Sequence, residues 1–216
     1  RRQVFVVSAD GGAPRQLTNG PYDHEGPLAW TPDGLQVLVS ANRRPDGEYD
    51  PANSEIHSVR VADGSLATLT SRKGPDQWPA VSRDGRWVAY LGYDDRYQGH
   101  QNTQLSVLAT HGGAARAVSV GLDRSLEQPA WAPNSREVVA CYEDQGRVRL
   151  AAIGLDGKLR SLADDVGGVA IGRPYSTCQF SVSRSGLAAY TAAGADRLAD
   201  VAVVPLKGGT PRRITD

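Results

Sequence analysis

The stretch Gly26-Pro-Leu-Ala-Trp-Thr-Pro-Asp-Gly34, followed by Leu35-Gln-Val-Leu-Val-Ser40, decides the fold because its pattern returns three more times along the chain. The copies are Trp78-Pro-Ala-Val-Ser-Arg-Asp-Gly85, Gln128-Pro-Ala-Trp-Ala-Pro-Asn-Ser135 and a weaker Gln179-Phe-Ser-Val-Ser-Arg-Ser-Gly186. Their turn residues Gly34, Gly85, Ser135 and Gly186 lie about 51, 50 and 51 residues apart, an interval that marks a repeat architecture. Proline presets φ in such turns, and Asp or Asn bonds its own backbone, so Asp33 and Asp84 read as turn residues rather than as paired catalytic acids.

Working outward, each copy is followed by a second strand candidate and then by a hairpin. Ile56–Val61 turns at Asp63-Gly64, Leu105–Leu108 at Gly112-Gly113, Val148–Ala151 at Asp156-Gly157 and Val201–Val204 at Gly208-Gly209. Asp and Gly tolerate the positive φ that tight hairpins require. Four antiparallel strands in about 50 residues is the unit of a propeller blade, in which one apolar face packs on the next blade. The expected class is therefore all-β, with helix nearly absent, and the expected architecture is a β-propeller fragment covering residues 1–216. Full four-stranded blades are placed at about 21–70, 71–121, 122–163 and 164–216, with a half blade at 3–20, as part of a seven- or eight-bladed propeller. A chain that enters in mid-blade leaves strand edges open, so self-association through those edges is expected. Trp30, Trp87 and Trp131 read as packing residues between blades, and Trp78 falls shortly before the equivalent site, Val81.

Bulk properties narrow the function. The chain has 216 residues, with 24 Lys plus Arg balancing 24 Asp plus Glu. With no net field to attract polyanions, nucleic acid is not an expected partner. No apolar run approaches the roughly 18 residues of a membrane span. Cys141 and Cys178 read as two small buried thiols. Methionine is absent even from position 1, and Val4-Phe-Val-Val7 begins a strand at once, so the chain is expected to be an excised piece of a longer protein.

Catalytic signatures are missing. There is no Gly-x-Ser-x-Gly elbow, no phosphate-binding Gly-rich loop before a helix, and no metal spacing among His24, His57, His100 and His111. No catalytic residue, metal or cofactor is expected in this chain. Specificity is expected instead in two irregular loops, Asn42–Asn53 and Gly92–Asn102, which carry charged and aromatic residues on a rigid scaffold.

The repeated Ala-Trp-Thr-Pro-Asp-Gly pattern resembles the repeats of TolB-type propellers and of the propeller of prolyl-oligopeptidase-family serine peptidases. Tyr93-Asp-Asp-Arg-Tyr-Gln-Gly-His-Gln-Asn-Thr-Gln-Leu105, Gly167-Gly-Val-Ala-Ile-Gly-Arg-Pro-Tyr175 and Phe180-Ser-Val-Ser183 are similar to segments of its acylaminoacyl-peptidase-like branch. Gly208-Gly-Thr-Pro-Arg-Arg-Ile-Thr-Asp216 is similar to the last propeller strand before the catalytic domain. The resemblance implies a propeller that caps an α/β-hydrolase domain and admits short peptides, with the catalytic Ser, Asp and His in that following domain. Under it, Arg173, Tyr175, Asp95, Arg96 and Tyr97 are the candidates to face substrate, and a cytoplasmic location is expected. The alternative is a non-enzymatic TolB-like propeller that mediates protein–protein interaction in the cell envelope, with a periplasmic location.

Overall fold

The computed structural model describes residues 1–168, 178–195 and 197–215, and among them every regular element is a β-strand. β1 (Phe5–Val6) and β2 (Arg15–Gln16) form a two-stranded antiparallel pair. β3 (His24–Trp30), β4 (Gln36–Ala41), β5 (Glu55–Arg60) and β6 (Leu66–Thr68) form an antiparallel sheet of four in chain order. β7 (Asp76–Val81), β8 (Trp87–Gly92), β9 (Gln104–Ala109) and β10 (Arg116–Ala117) form another in the same order. The remaining strands are β11 (Leu126–Trp131), β12 (Glu137–Asp144), β13 (Arg147–Gly154), β14 (Leu159–Val166), β15 (Phe180–Val182), β16 (Leu187–Gly194), β17 (Arg197–Pro205) and β18 (Arg212–Arg213). All eight share one sheet, because the end of β14 reaches β16 and pairs Val166 with Ala192, while β15 pairs β16 on its own.

The chain divides into two compact units, residues 1–101 with 106–116, and residues 102–105 with 117–216. In the first, β4 is buried on both faces, and the two-residue alternation of a strand assigns its side chains to two different cores. Leu38 packs with Ile56, Val88, Tyr90 and Leu108. Its neighbour Val39 packs with Val4, Leu17 and Val59. Each such fully buried aliphatic side chain contributes roughly 1.5–3 kcal/mol. The second unit has its own core, in which Val139, Leu150, Ala152, Tyr190 and Val204 converge.

The repeated turn has the chemistry that its residues dictate. Thr31 Oγ1 donates to Asp33 Oδ1 at 2.6 Å, the Leu35 N–H donates to the same oxygen at 3.0 Å, and Gly34 adopts φ 72°. Ser82, Asp84 and Gly85 repeat the device, with Ser82 Oγ to Asp84 Oδ1 at 2.6 Å and φ 72° at Gly85. These bonds hold both carboxylates below the usual carboxylate range, Asp84 at about 2, chiefly through the Ser82 hydroxyl. The turn reading of both acids is therefore what the geometry shows.

The position of Trp78 also finds its explanation. His24, Asp76 and Leu126 open β3, β7 and β11 and stand opposite Ala41, Gly92 and Tyr142. Two residues further on, Gly26, Trp78 and Gln128 take φ values of 76°, 57° and 51°, and at each place the pairing register shifts. Such a shift is a β-bulge, which accommodates extra backbone by turning one residue left-handed. Trp78 therefore occupies the bulge, and β3 carries one more residue in its bulge than β7 or β11.

Two expectations are corrected. Trp131 is 5% exposed, as a packing residue should be, but Trp30 is 51% exposed: in β3 only His24 is fully buried and Ala29 half-buried against the Leu38 core, while the other residues of the strand face solvent. Trp87 is half-buried. The cysteines are buried as expected but are not thiols: Cys141 of β12 is disulfide-bonded to Cys178, with Cα atoms 6.0 Å apart. Their sequence separation of 37 conceals a proximity that only the folded chain creates.

Candidate functional site

The site lies wholly within the first unit, where three connections meet: residues 42–54 between β4 and β5, 69–75 between β6 and β7, and the start of the connection between β8 and β9. The last is sewn to its neighbours through the backbone. The Asp95 N–H donates to the Lys73 carbonyl at 2.9 Å, and the Tyr97 N–H donates to Asp95 Oδ1 at 2.8 Å. Arg96 N–H donates to Gln101 Oε1 at 2.7 Å, and Gln101 Nε2 returns to the Asp94 carbonyl at 3.0 Å. This Asx-type turn places Tyr97 at φ 54°, a backbone region that bulky residues rarely enter. Gly74, at φ 125°, makes the approach possible, since a Cβ there would overlap the Tyr93 carbonyl oxygen.

On the opposite side, Asn42 Nδ2 donates to the Asp50 carbonyl at 2.8 Å and fixes the long loop across its own base. Asn53 accepts from the Gly74 N–H at 3.1 Å through Oδ1 and donates to Asp50 Oδ2 at 3.2 Å through Nδ2. A cleft of about 410 Å³ results, with Arg44, Asp50, Asn53, Arg72, Lys73 and Tyr97 on its walls.

The charges in the cleft are unequally committed. Arg44 engages both oxygens of Asp46, at 3.0 and 3.1 Å, which lowers the Asp46 pKa and raises that of Arg44. Arg72 donates through Nε to Asp76 Oδ1 at 2.7 Å, with Asp94 at 3.8 Å and the Tyr90 ring centroid 5.6 Å away. Lys73 is different. Its ammonium donates to the Tyr97 hydroxyl and lies 4.1 Å from the centroid of that ring; the hydrogen bond first, and then the fields of Tyr97, Asp50 and Asp95, raise its pKa. Among the described residues no carboxylate is paired with it.

Beneath the cleft lies a buried polar layer. Asp76 is 0% exposed, its carbonyl accepts from Ser40 and Ser54 at 2.7 and 3.3 Å, and burial pushes its carboxyl up. Glu55 accepts from Thr70 Oγ1 at 2.5 Å, and burial, reinforced by the neighbouring Asp76 charge, raises it to about 7. Gly92 faces Asp76 across the β7–β8 pair, where any Cβ would overlap the Pro75 carbonyl oxygen and the Arg72 guanidinium. His57 is buried between the Thr68 hydroxyl and the Ala41 carbonyl, at 3.1 Å from each, and desolvation lowers it to about 4.

Of the residues singled out from sequence, Tyr97 lines the cleft, Asp95 shapes its rim through the backbone, and Arg96 is exposed beside it. Arg173 and Tyr175 lie outside the described residues. Asp50 belongs to the Asn42–Asn53 loop in which specificity is expected, whereas Lys73, Arg72 and Asp76 were not anticipated. A partial signal existed: Asp76 puts a carboxylate at the strand-opening position where the third copy has Leu126 and the first has His24. Among the described residues, no group of three or more His, Cys, Asp or Glu side chains could hold a metal ion. No helix among them is long and apolar enough to cross a membrane.

No protein-family model matches the chain. Its sequence is 28% identical over 117 residues to the uncharacterized peptidase YuxL of Bacillus subtilis, a match covering 41% of this chain and 18% of YuxL. It is also 28% identical over 135 residues to a TolB homolog of Chlorobaculum tepidum, covering 62% of this chain and 28% of the homolog. The matched segment thus spans less than a third of either relative. Among solved structures, an oligogalacturonate lyase in complex with manganese superposes with a TM-score of 0.74 at 14% identity, over 99% of this chain and 59% of the lyase. Puromycin hydrolase gives 0.70 at 19% identity, over 100% of this chain and 35% of the hydrolase. TolB of Acinetobacter baumannii gives 0.68 at 15%, over 99% of this chain and 48% of TolB. At these identities the likeness carries the fold, and the fold is of the β-propeller type that the repeats announce.

Proposed function

We propose that the chain is the non-catalytic propeller portion of a serine peptidase, four four-stranded blades and a half blade that stand over an α/β-hydrolase domain and gate the entry of short peptides. The observation that carries this reading is the similarity to the YuxL peptidase over 117 residues. The fold shared with puromycin hydrolase is consistent with it. The substrate-facing candidates are Asp95, Arg96 and Tyr97 in the first unit and, taken separately, Arg173 and Tyr175, a guanidinium and a phenol of a kind that suits a peptide carboxylate or carbonyl. In this reading the catalytic Ser, Asp and His follow Asp216. Extending the coding sequence tests it: a Gly-x-Ser-x-Gly segment followed by Asp and His supports the peptidase, and a stop codon removes it.

A second reading is favoured by one observation, the Cys141–Cys178 disulfide. Disulfides persist in oxidising compartments and are rare in the cytosol, which suits a TolB-like interaction propeller in the cell envelope better than a cytoplasmic peptidase. Alkylation of intact cells followed by mass spectrometry separates the two locations. Protected, disulfide-linked cysteines support the envelope, and two alkylated thiols support the cytoplasm.

A further inference from the structure

The cleft contains three cations, and two are already spent within the protein: Arg44 on Asp46, and Arg72 on Asp76. Lys73 is held by an aromatic ring and a phenol, partners that position an ammonium without neutralising it. Holding Tyr97 there requires a left-handed backbone at a bulky residue and a glycine at position 74 for the close approach. Strain of this kind persists only where the surroundings enforce it, and it gathers at ligand clamps. Two aromatic side chains are left in solvent around the ammonium, Tyr97 at 75% and Tyr49 at 92% exposure. The exposed Ser71 hydroxyl lines the same cleft and supplies a second donor.

The signs of the charges select the ligand. One ammonium that, among the described residues, has no carboxylate in an ion pair and feels Asp50 and Asp95 only at a distance suits, with one hydroxyl, a singly charged, two-oxygen group. The carboxylates of Asp46 and Asp50 on the same walls repel a doubly charged phosphate more strongly than a singly charged carboxylate. We infer that the Lys73–Tyr97 cleft binds a carboxylate borne by a short peptide, with Lys73 as its ion partner and Tyr97 and Tyr49 covering the adjacent apolar side chain. The inference rests on the peptide-gating reading and adds to it the chemical group that the gate recognises. The carboxylate is either the C-terminus of the peptide or an acidic side chain.

The test is a calorimetric titration of the full 216-residue chain with three probes: acetyl-Ala-Ala-Phe as the free acid, the same peptide as its C-terminal amide, and acetyl-Ala-Asp-Ala amide. Loss of one charge-assisted bond costs about tenfold in affinity. The Phe amide is therefore expected to bind about tenfold more weakly than at least one carboxylate probe, and which acid binds identifies the source. Lys73→Gln is expected to abolish that preference and Lys73→Arg to retain it. Equal affinity for acid and amide overturns the inference, as does a preference that survives Lys73→Gln or the absence of binding by every probe. Each of these outcomes leaves the peptidase reading to be decided by the sequence that follows Asp216.

Discussion

Removing the Cys141–Cys178 bond should destabilise the second unit by about 4 kcal/mol. The figure comes from the 37-residue separation, since a cross-link withdraws loop-closure entropy from the unfolded chain in proportion to the logarithm of the loop. Both sulfurs lie in the core with Val139, Leu150 and Tyr190, 1% and 3% exposed, so solvent reaches the bond only when that core opens. At roughly 2–4 °C per kcal/mol for a chain of this size, the melting temperature should fall by about 10 °C. The assay is a thermal melt followed by circular dichroism, with and without reductant, on the natural chain and on a Cys141→Ala, Cys178→Ala double variant. The double variant should melt near the reduced protein and ignore the reductant. A shift under about 2 °C on full reduction would refute the reasoning, because the entropy argument allows no such small effect for a loop of this length.

Three further outcomes follow from the same structure. Glu55 has a folded pKa of about 7 against an ordinary 4.5, so the folded state binds more protons in that window; stability is full below the window and falls as pH rises through it. Urea unfolding at pH 5 and pH 8 should show Glu55→Gln gaining on the order of 1 kcal/mol relative to the natural protein between the two pH values after solvent screening, a comparison in which the opposing gain from His57, lowered to about 4, cancels; a difference between the two proteins that does not change with pH contradicts it. Gly92→Ala should cost about 3 kcal/mol or more, because the added methyl meets the Pro75 backbone carbonyl, which cannot rotate away; a melting temperature within about 1 °C of the natural protein would show that the β7–β8 pair relaxes freely. The chain alone should self-associate through its open strand edges, visible as a mass that grows with concentration in sedimentation equilibrium, and a constant monomer mass would remove that expectation.

The fold was legible because its signal is redundant. Four copies of one turn, each with hydroxyl or backbone N–H donors set around Asp, Asn or Ser, define strand boundaries that no single copy would define. The bulge was not legible, because a left-handed residue is encoded by glycine in one copy and by Trp78 and Gln128 in the others, where side-chain type gives no warning. Trp30 misled for a related reason: a tryptophan in a repeat position packs only where a neighbouring surface exists to cover it, and that depends on the rest of the fold. The disulfide and the Lys73–Tyr97 cleft depend on residues 37 and 24 positions apart meeting in space, information that lies in the sheet topology and not in local pattern. The loop residues were found because they break the repeat. Lys73 was passed over because it sits in an ordinary connection whose role appears only when Asp95 bonds to its carbonyl.

The proposed function requires a serine hydrolase nucleophile outside residues 1–216. The most direct measurement is labelling of the protein in its natural host with a serine-directed fluorophosphonate, followed by mass spectrometric assignment of the modified residue. The account predicts an adduct on a serine C-terminal to Asp216 and none within residues 1–216. An adduct inside those residues, or a natural protein that takes up no label, would contradict it.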